Sequence, residues 1–314
     1  MLSSQALDRL ALEFLEELEV EGRAAITAKR YGAYVSTFID WLAATTATSR
    51  DAVALDTVDP ERLRQYRLFL ARRRDPDTGN VIGAGTRNLY QVALRNFLRY
   101  CRRRKLDAPD PDEHLQLAKE RDREIRHLSR DEAVRVSAAI VLTDPSGLRD
   151  RAVVEMLFGT AVRVSELCAM TRRQVNLDRR EAEVVGKGGK SRLVLLTTDA
   201  AHWLRRYLET RADESPWLFV SNRKDDDGVL RALSVRQVQR VVDQASRRAG
   251  LPFRVSPHWF RHTRLTALAR HAGVETAQRI AGHSSLATTA RYLHVTDERL
   301  RAAYDEAERK DRDG

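Results

Sequence analysis

A chain of 314 residues with 42% hydrophobic and 32% charged side chains can bury two cores and has the balance of a globular protein. Its net charge of +10 and pI near 9.9 point to a polyanionic partner, nucleic acid being the simplest. The absence of a long apolar run excludes a helical membrane protein, and the early charges of "MLSSQALDRLALEFLEELE" exclude a signal peptide, so a cytoplasmic protein with no membrane partner is expected.

The positive surplus is unevenly placed. Residues 1–120 hold 19 Lys and Arg against 18 Asp and Glu, and the remainder holds 36 against 27. Cys101 and Cys168 match no metal-ligand spacing and read as reduced thiols.

Four helices are predicted in the first part. Residues 5–20 place Leu7, Leu10, Leu15 and Leu18 at helical spacing, and residues 27–43 continue with Tyr31, Tyr34, Val35, Phe38, Ile39 and Leu42 after a Thr27 start. A third helix starts after Asp59-Pro60, a cap followed by proline at the first helical position. The fourth follows Gly85-Thr86, carries Leu89, Val92, Ala93, Phe97 and Leu98, and ends in "RYCRRRK". A basic helix end suits the helix dipole, but with this overall charge phosphate contact by Arg102, Arg103, Arg104 and Lys105 is the favoured reading.

Residues 107–127 mix proline, acid and charge with few apolar anchors, a linker composition. The domains expected are therefore 1–106 and 128–314. The second begins at the Ser129 cap and runs helix after helix to about residue 176. In "EAEVVGKGGKSRLVLLTT" two β-type runs flank a glycine-rich turn, which makes a hairpin. Helices resume near residue 199, with loops expected near 213–229 and 250–257.

Candidate chemistry lies in the second part. "GKGGKS" is no nucleotide-binding loop: Val184 stands where the first glycine is needed, and a strand rather than a helix follows. It leaves Lys187 on a hairpin turn. In "SPHWFRHT" the Ser256 cap and Pro257 place His258 and Arg261 one turn apart, toward the side of Leu265 and Leu268. A His and an Arg near a core need partners, so they are either structural or aimed at an anion. In "FGTAVRVSEL" Arg163 precedes a helix, with Glu166 three residues on and able to orient it.

Arg163, Lys187, His258, Arg261, His283 and Tyr292 follow in order, each at a helix start, turn or helix end. Two arginines can grip a phosphodiester, two histidines and a lysine can move protons, and a tyrosine is a nucleophile that needs no metal. No carboxylate set suits Mg²⁺ and no Cys/His set suits Zn²⁺, so neither metal nor cofactor is expected. The inventory fits phosphoryl transfer through a protein-bound ester.

Over nearly its whole length the sequence resembles the tyrosine recombinases of the phage-integrase family, most closely the compact Xer-like members. The resemblance is sharpest in "GLRDRAVVEMLFGTAVRVSEL", "VVGKGGKSRLVLL", "SPHWFRHT" and "IAGHSSLATTARYLHV". The family pattern has an arginine before Ser-Glu-Leu, a hairpin lysine, His-x-x-Arg, Gly-His and a tyrosine nine residues later. All are present, with Val162, Phe260 and Ala281 replacing more usual leucines and a bulkier Arg291 than expected before Tyr292.

The resemblance implies a mainly α fold with a small β-sheet, built from a four-helix, SAM-like core-binding domain and a mixed α/β catalytic domain that clamp duplex DNA. It implies Tyr292 as nucleophile, Arg163 and Arg261 on the phosphate, His258 and Lys187 as base and acid, His283 as a phosphate hydrogen-bonder and Glu166 in support. DNA contacts would come from Arg87, Arg95, Arg102 to Lys105, Arg236, Arg240 and Arg264. The expected partners are two DNA recombination sites held by a homotetramer or heterotetramer, with a partner recombinase or a DNA translocase where one is needed. The helix after Tyr292 would pack into a neighbouring protomer or fold back on its own domain. The activity implied is site-specific recombination, for dimer resolution or DNA integration. The other readings are a mobile-element integrase or transposase, a type IB topoisomerase-like enzyme and a non-catalytic DNA-binding protein.

Overall fold

The computed structural model describes residues 5–119, 127–143, 145–186 and 189–282. The chain divides into two compact units, Met1–Arg123 and Glu124–Gly314. Both are mainly helical, with small sheets in the second, as expected.

In the first unit the described helices are α1 (Leu7–Val20), α2 (Ala25–Thr46), α3 (Pro60–Arg72), α4 (Ala84–Arg103) and the short α5 (Pro111–His114). The Asp59 cap forms as read, its carboxylate accepting from the Arg62 N–H at 2.7 Å. α2 begins two residues before Thr27, with Ala24 at its cap position and no side-chain cap; packing of its apolar stripe holds it instead. Leu7, Leu10 and Leu18 reach the core, and Phe14 rather than Leu15 completes that face. The Phe14 ring meets Phe97 edge-on at 5.7 Å between centroids.

The stretch read as a linker begins as part of this unit. Ala108, Pro111 and Leu115 are buried, Ala108 and Leu115 within the first core. The Asn88 side chain pairs with Ala118 in both directions, donating to its carbonyl and accepting from its N–H at 2.9 Å. Three sparse anchors and one amide suffice to dock a stretch with few apolar side chains.

The second unit is organised on α7 (Pro145–Thr160). Ala152, Val153, Val154, Met156 and Leu157 are all fully buried, the all-round apolarity of a helix at the centre of its domain. Around it pack α6 (Arg130–Ala138), α8 (Val164–Ala169), α9 (Thr198–Glu209), α10 (Val235–Arg248) and α11 (Pro257–Ala272). Gly159 lets α9 approach closely: a Cβ there would lie 2.7 Å from Thr197 Oγ1. The Ser129–Glu132 capping box opens α6. Just before it, Leu128 is tied to α11 by Thr263, whose hydroxyl donates to the Leu128 carbonyl at 2.9 Å and accepts its N–H at 3.0 Å.

The hairpin forms as β2 (Glu181–Val185) and β3 (Ser191–Leu195), with β1 (Val175–Asn176) added antiparallel to β2. Val184 faces Arg192 across the pair. A second, two-stranded sheet, β4 (Val220–Lys224) and β5 (Leu230–Ala232), occupies part of the stretch expected to be loop. A register irregularity and polar strand residues hide it from the period-2 pattern. α11 is followed by α12 (Val274–Ala281), and the two share a small cluster of Ala161, Leu265, Ala269, Ala277 and Ala281.

Candidate active site

Where α7 ends, the chain turns sharply. Ala161 adopts φ +55°, an uncommon conformation for a residue with a Cβ. Its carbonyl accepts a hydrogen bond from Arg261 Nη1, and the Ala281 carbonyl accepts one from Nη2 at 2.7 Å. Arg261 is 1% exposed, the largest fully buried side chain among the described residues. Sequence reasoning anticipated a buried arginine with a carboxylate partner or an anionic target; these two bonds go to main-chain carbonyls. They fix the guanidinium without neutralising it.

Arg163 is extended at the cap position of α8. Glu166, one turn on, accepts from the Arg163 N–H at 2.8 Å through Oε2 and from Arg163 Nη1 at 2.8 Å through Oε1. Glu166 therefore bonds both the main chain and the side chain of Arg163. A second guanidinium, Arg192 from β3, donates Nη1 to Oε1 at 3.0 Å and Nη2 to Oε2 at 2.7 Å. Burial alone would raise the Glu166 pKa, but bonds from Arg192 and Arg163 outweigh it and hold the carboxyl at about 2. The group is therefore ionised throughout the neutral range.

His258 occupies the first turn of α11, its N–H capped by Ser256 Oγ at 3.2 Å. Its ring meets His262 edge-on at 4.5 Å between centroids. It stands at the surface, not on the buried side. Its pKa is lowered by desolvation first, then by the charges of Arg261 and Arg163. The structure thus brings Arg163, Glu166, His258 and Arg261 together on α8 and α11. Arg192 joins them and was missed by sequence reasoning. The available signal was that an arginine shares the inward face of β3 with Val194, while Leu193 and Leu195 face out.

Lys187, His283 and Tyr292 lie outside the described residues. Gly186, before Lys187, and Gly282, before His283, both lie close to Glu166 or Arg192. A Cβ on Gly186 would lie 3.6 Å from Glu166 Oε1, and one on Gly282 would lie 3.0 Å from Arg192 Cδ. Tyr207, another tyrosine of this unit, is 2% exposed, and its hydroxyl accepts from Arg211 at 3.2 Å, which makes it a core residue. Among the described residues no group of three or more His, Cys, Asp and Glu side chains could hold a metal, and no helix is long and apolar enough to cross a membrane.

The basic residues singled out elsewhere differ in exposure and in pairing. Arg236 and Arg240 are exposed on α10, and Arg264 is part-buried on α11 with its pKa lowered by burial. Arg104 pairs with Glu13, Arg103 with Glu21 at 3.5 Å, Arg102 with Asp110 at 3.7 Å and Arg95 with Asp112 at 3.8 Å. Arg87 is part-buried near the start of α4 and Lys105 is exposed just after it.

A buried arginine held by main chain, a second arginine held by a carboxylate, and a histidine whose pKa is lowered by desolvation and then by both arginines lie close to one another. The sequence pattern of the phage integrase family matches residues 126–299. The tyrosine recombinase XerD of Ralstonia nicotianae is 33% identical over 314 residues, covering 96% of this chain and 93% of the relative. The tyrosine recombinase XerA of Thermococcus kodakarensis is 34% identical over 297 residues, covering 94% of each. The fold is shared with the XerH site-specific recombinase bound to a palindromic difH substrate in a post-cleavage complex, at TM-score 0.69 and 20% identity over 94% of this chain and 84% of that one. The chain belongs to the phage integrase family, as a tyrosine recombinase of the Xer type.

Proposed function

We propose that this enzyme recombines DNA at specific sites, with Tyr292 as the attacking group and Arg163, Lys187, His258, Arg261 and His283 around the scissile phosphate. A phenol ionises near pH 10, so attack at neutral pH needs a base and a stabilised phosphate. Arg163 and Arg261 grip the non-bridging oxygens and hold the attack in line. His258, its pKa lowered by desolvation and by the two arginines, accepts the phenol proton. The tyrosyl oxygen bonds to phosphorus, the bond to the 5′ oxygen breaks, and Lys187 protonates that oxygen. His283 hydrogen-bonds the phosphate and Glu166 orients Arg163.

The product is a 3′-phosphotyrosyl ester of energy similar to the bond it replaced. A 5′-hydroxyl from a second duplex can reverse the step and exchange strands through a Holliday junction, with no energy source consumed. Two sites held by a homotetramer or heterotetramer provide that partner, a second recombinase or a translocase joining where required. The residue 1–106 and 128–314 domains would clamp the duplex, with exposed Arg236, Arg240 and Lys105, together with Arg87 and Arg264, contacting phosphate. Arg95 and Arg102 to Arg104 would first leave their carboxylates. Phosphate contacts make binding strongly salt-dependent.

The observation that carries the proposal is the convergence of Arg163, Arg261 and a depressed His258 in a chain with the family's ordered residue set. The test is incubation with nicked fragments of candidate sites in the presence of a chelator, followed by denaturation to trap covalent adducts. An adduct with the unsubstituted protein and none with Tyr292→Phe is expected. An adduct that persists in that variant, that maps to Tyr304, or that requires Mg²⁺ would contradict the mechanism.

A further inference from the structure

Glu166 has more partners than orienting Arg163 requires. Its two oxygens accept four hydrogen bonds, two from Arg163 and two from Arg192. The Arg192 side chain is 13% exposed against 36% for Arg163, so the inner guanidinium closes one edge of the carboxylate and the outer one faces solvent. Arg192 also reaches a third element: its Nε donates to the Ile280 carbonyl at 3.1 Å, in the last turn of α12. There the chain leaves the helix through Gly282 at φ +62°, and a Cβ at that position would press on Arg192 Cδ at 3.0 Å, Nε at 3.1 Å and Cζ at 3.3 Å. Glycine thus satisfies the left-handed turn and the close approach together.

We propose that Arg192 is a positioning residue: it shares Glu166 with Arg163 so that Arg163 keeps its outer N–H groups for phosphate, and it locks the α12 exit against the same carboxylate. The role rests on the recombinase reading above. Were Arg163 the only partner of Glu166, the carboxylate could turn to it in a two-bond pair and draw the guanidinium off the phosphate. With Arg192 occupying that edge, Glu166 offers Arg163 one side-chain bond and its own backbone N–H bond. The three groups carry one net positive charge, placed on the exposed side. Lysine cannot replace this arginine, because one ammonium cannot make a two-oxygen pair and a third, divergent bond to Ile280.

The test compares Arg192→Lys, Arg163→Lys and the double variant in single-turnover cleavage of a nicked site, with DNA binding measured in parallel. Arg192→Lys is expected to slow cleavage about 10- to 100-fold, the cost of a misplaced catalytic group, while Kd changes less than about 3-fold. In the Arg163→Lys background the same change is expected to cost less than about 3-fold more, because both act through one carboxylate. Losses that multiply, or an Arg192→Lys variant that cleaves like the parent, overturn the role. Should Arg192→Lys fail to fold, Gly282→Ala presses the same side chain without altering charge; it is expected to slow cleavage and to be non-additive with Arg163→Lys, and additivity again overturns the role. If the unsubstituted protein forms no adduct, the recombinase reading itself falls; if it does and the losses multiply, only the assignment of Arg192 falls.

Discussion

In the first unit Arg50 lies half-exposed between Asp8, at 2.8 Å, and Asp40, joining α1, α2 and the turn that follows them. In the second, Arg261 is 1% exposed and bonded to two main-chain carbonyls, while Arg192 and Arg163 share the buried Glu166. The same residue type therefore does two kinds of work. Around Arg50 one cation meets two solvated carboxylates, and the cluster is a weak staple. Around Arg261 the positive charge is buried and held by main-chain carbonyls of two separate turns, so the guanidinium is fixed in place rather than solvated.

That contrast can be broken by substitution. The largest effect is expected for Arg261→Ala, which leaves a cavity and two buried carbonyls without their donor. Chemical denaturation should show a loss of about 3 to 5 kcal/mol. Glu166→Gln should follow. The carboxyl has a pKa of about 2 in the fold against an ordinary 4.5, so its contribution is complete above pH 4.5 and is lost as pH falls toward 2. The contribution is up to about 3 kcal/mol. Denaturation against pH should therefore be flatter in that window for the Gln variant. Arg50→Ala should cost under about 1 kcal/mol, an effect reduced further by salt, as for other exposed ion pairs. An Arg50 loss as large as that of Arg261 would erase the distinction between the units.

The chemistry offers a further handle. The pKa of His258 is lowered below its ordinary 6.5 by desolvation and then by Arg261 and Arg163, so the neutral base is lost only as pH falls through that lowered value. The acid limb of single-turnover cleavage should therefore have its midpoint below pH 6.5. A midpoint at or above 6.5 would mean that His258 titrates as an unperturbed or raised histidine.

Local signals in the sequence were enough for the parts of the fold with local causes. Asp59-Pro60 starts α3, Ser129 and Glu132 box the start of α6, and the glycine turn after Val185 joins β2 to β3. The ordered motif set identified the family, and the i to i+3 spacing of Arg163 and Glu166 was enough to suggest their contact. What escaped had distant causes. Arg103 and Arg104 meet carboxylates on the segment at Glu13 and Glu21, more than 80 positions earlier. The short strands β4 and β5 pair across a bulge with little alternation, and residues 107–119 dock through isolated anchors. Arg192 looked like a strand residue among others because its three bonds reach α8 and α12, neither of which is adjacent in sequence.

In the proposed mechanism the buried, main-chain-held Arg261 acts on the phosphate in the reaction rather than in DNA capture. Its most direct test is single-turnover cleavage of one nicked site by Arg261→Lys and by Arg50→Lys, with Kd measured for each. Arg261→Lys is expected to cleave about 100- to 1,000-fold more slowly at a Kd within about 3-fold of the parent, while Arg50→Lys cleaves like the parent. Cleavage by Arg261→Lys at the parent rate, or a slowing matched by an equal rise in Kd, would contradict it.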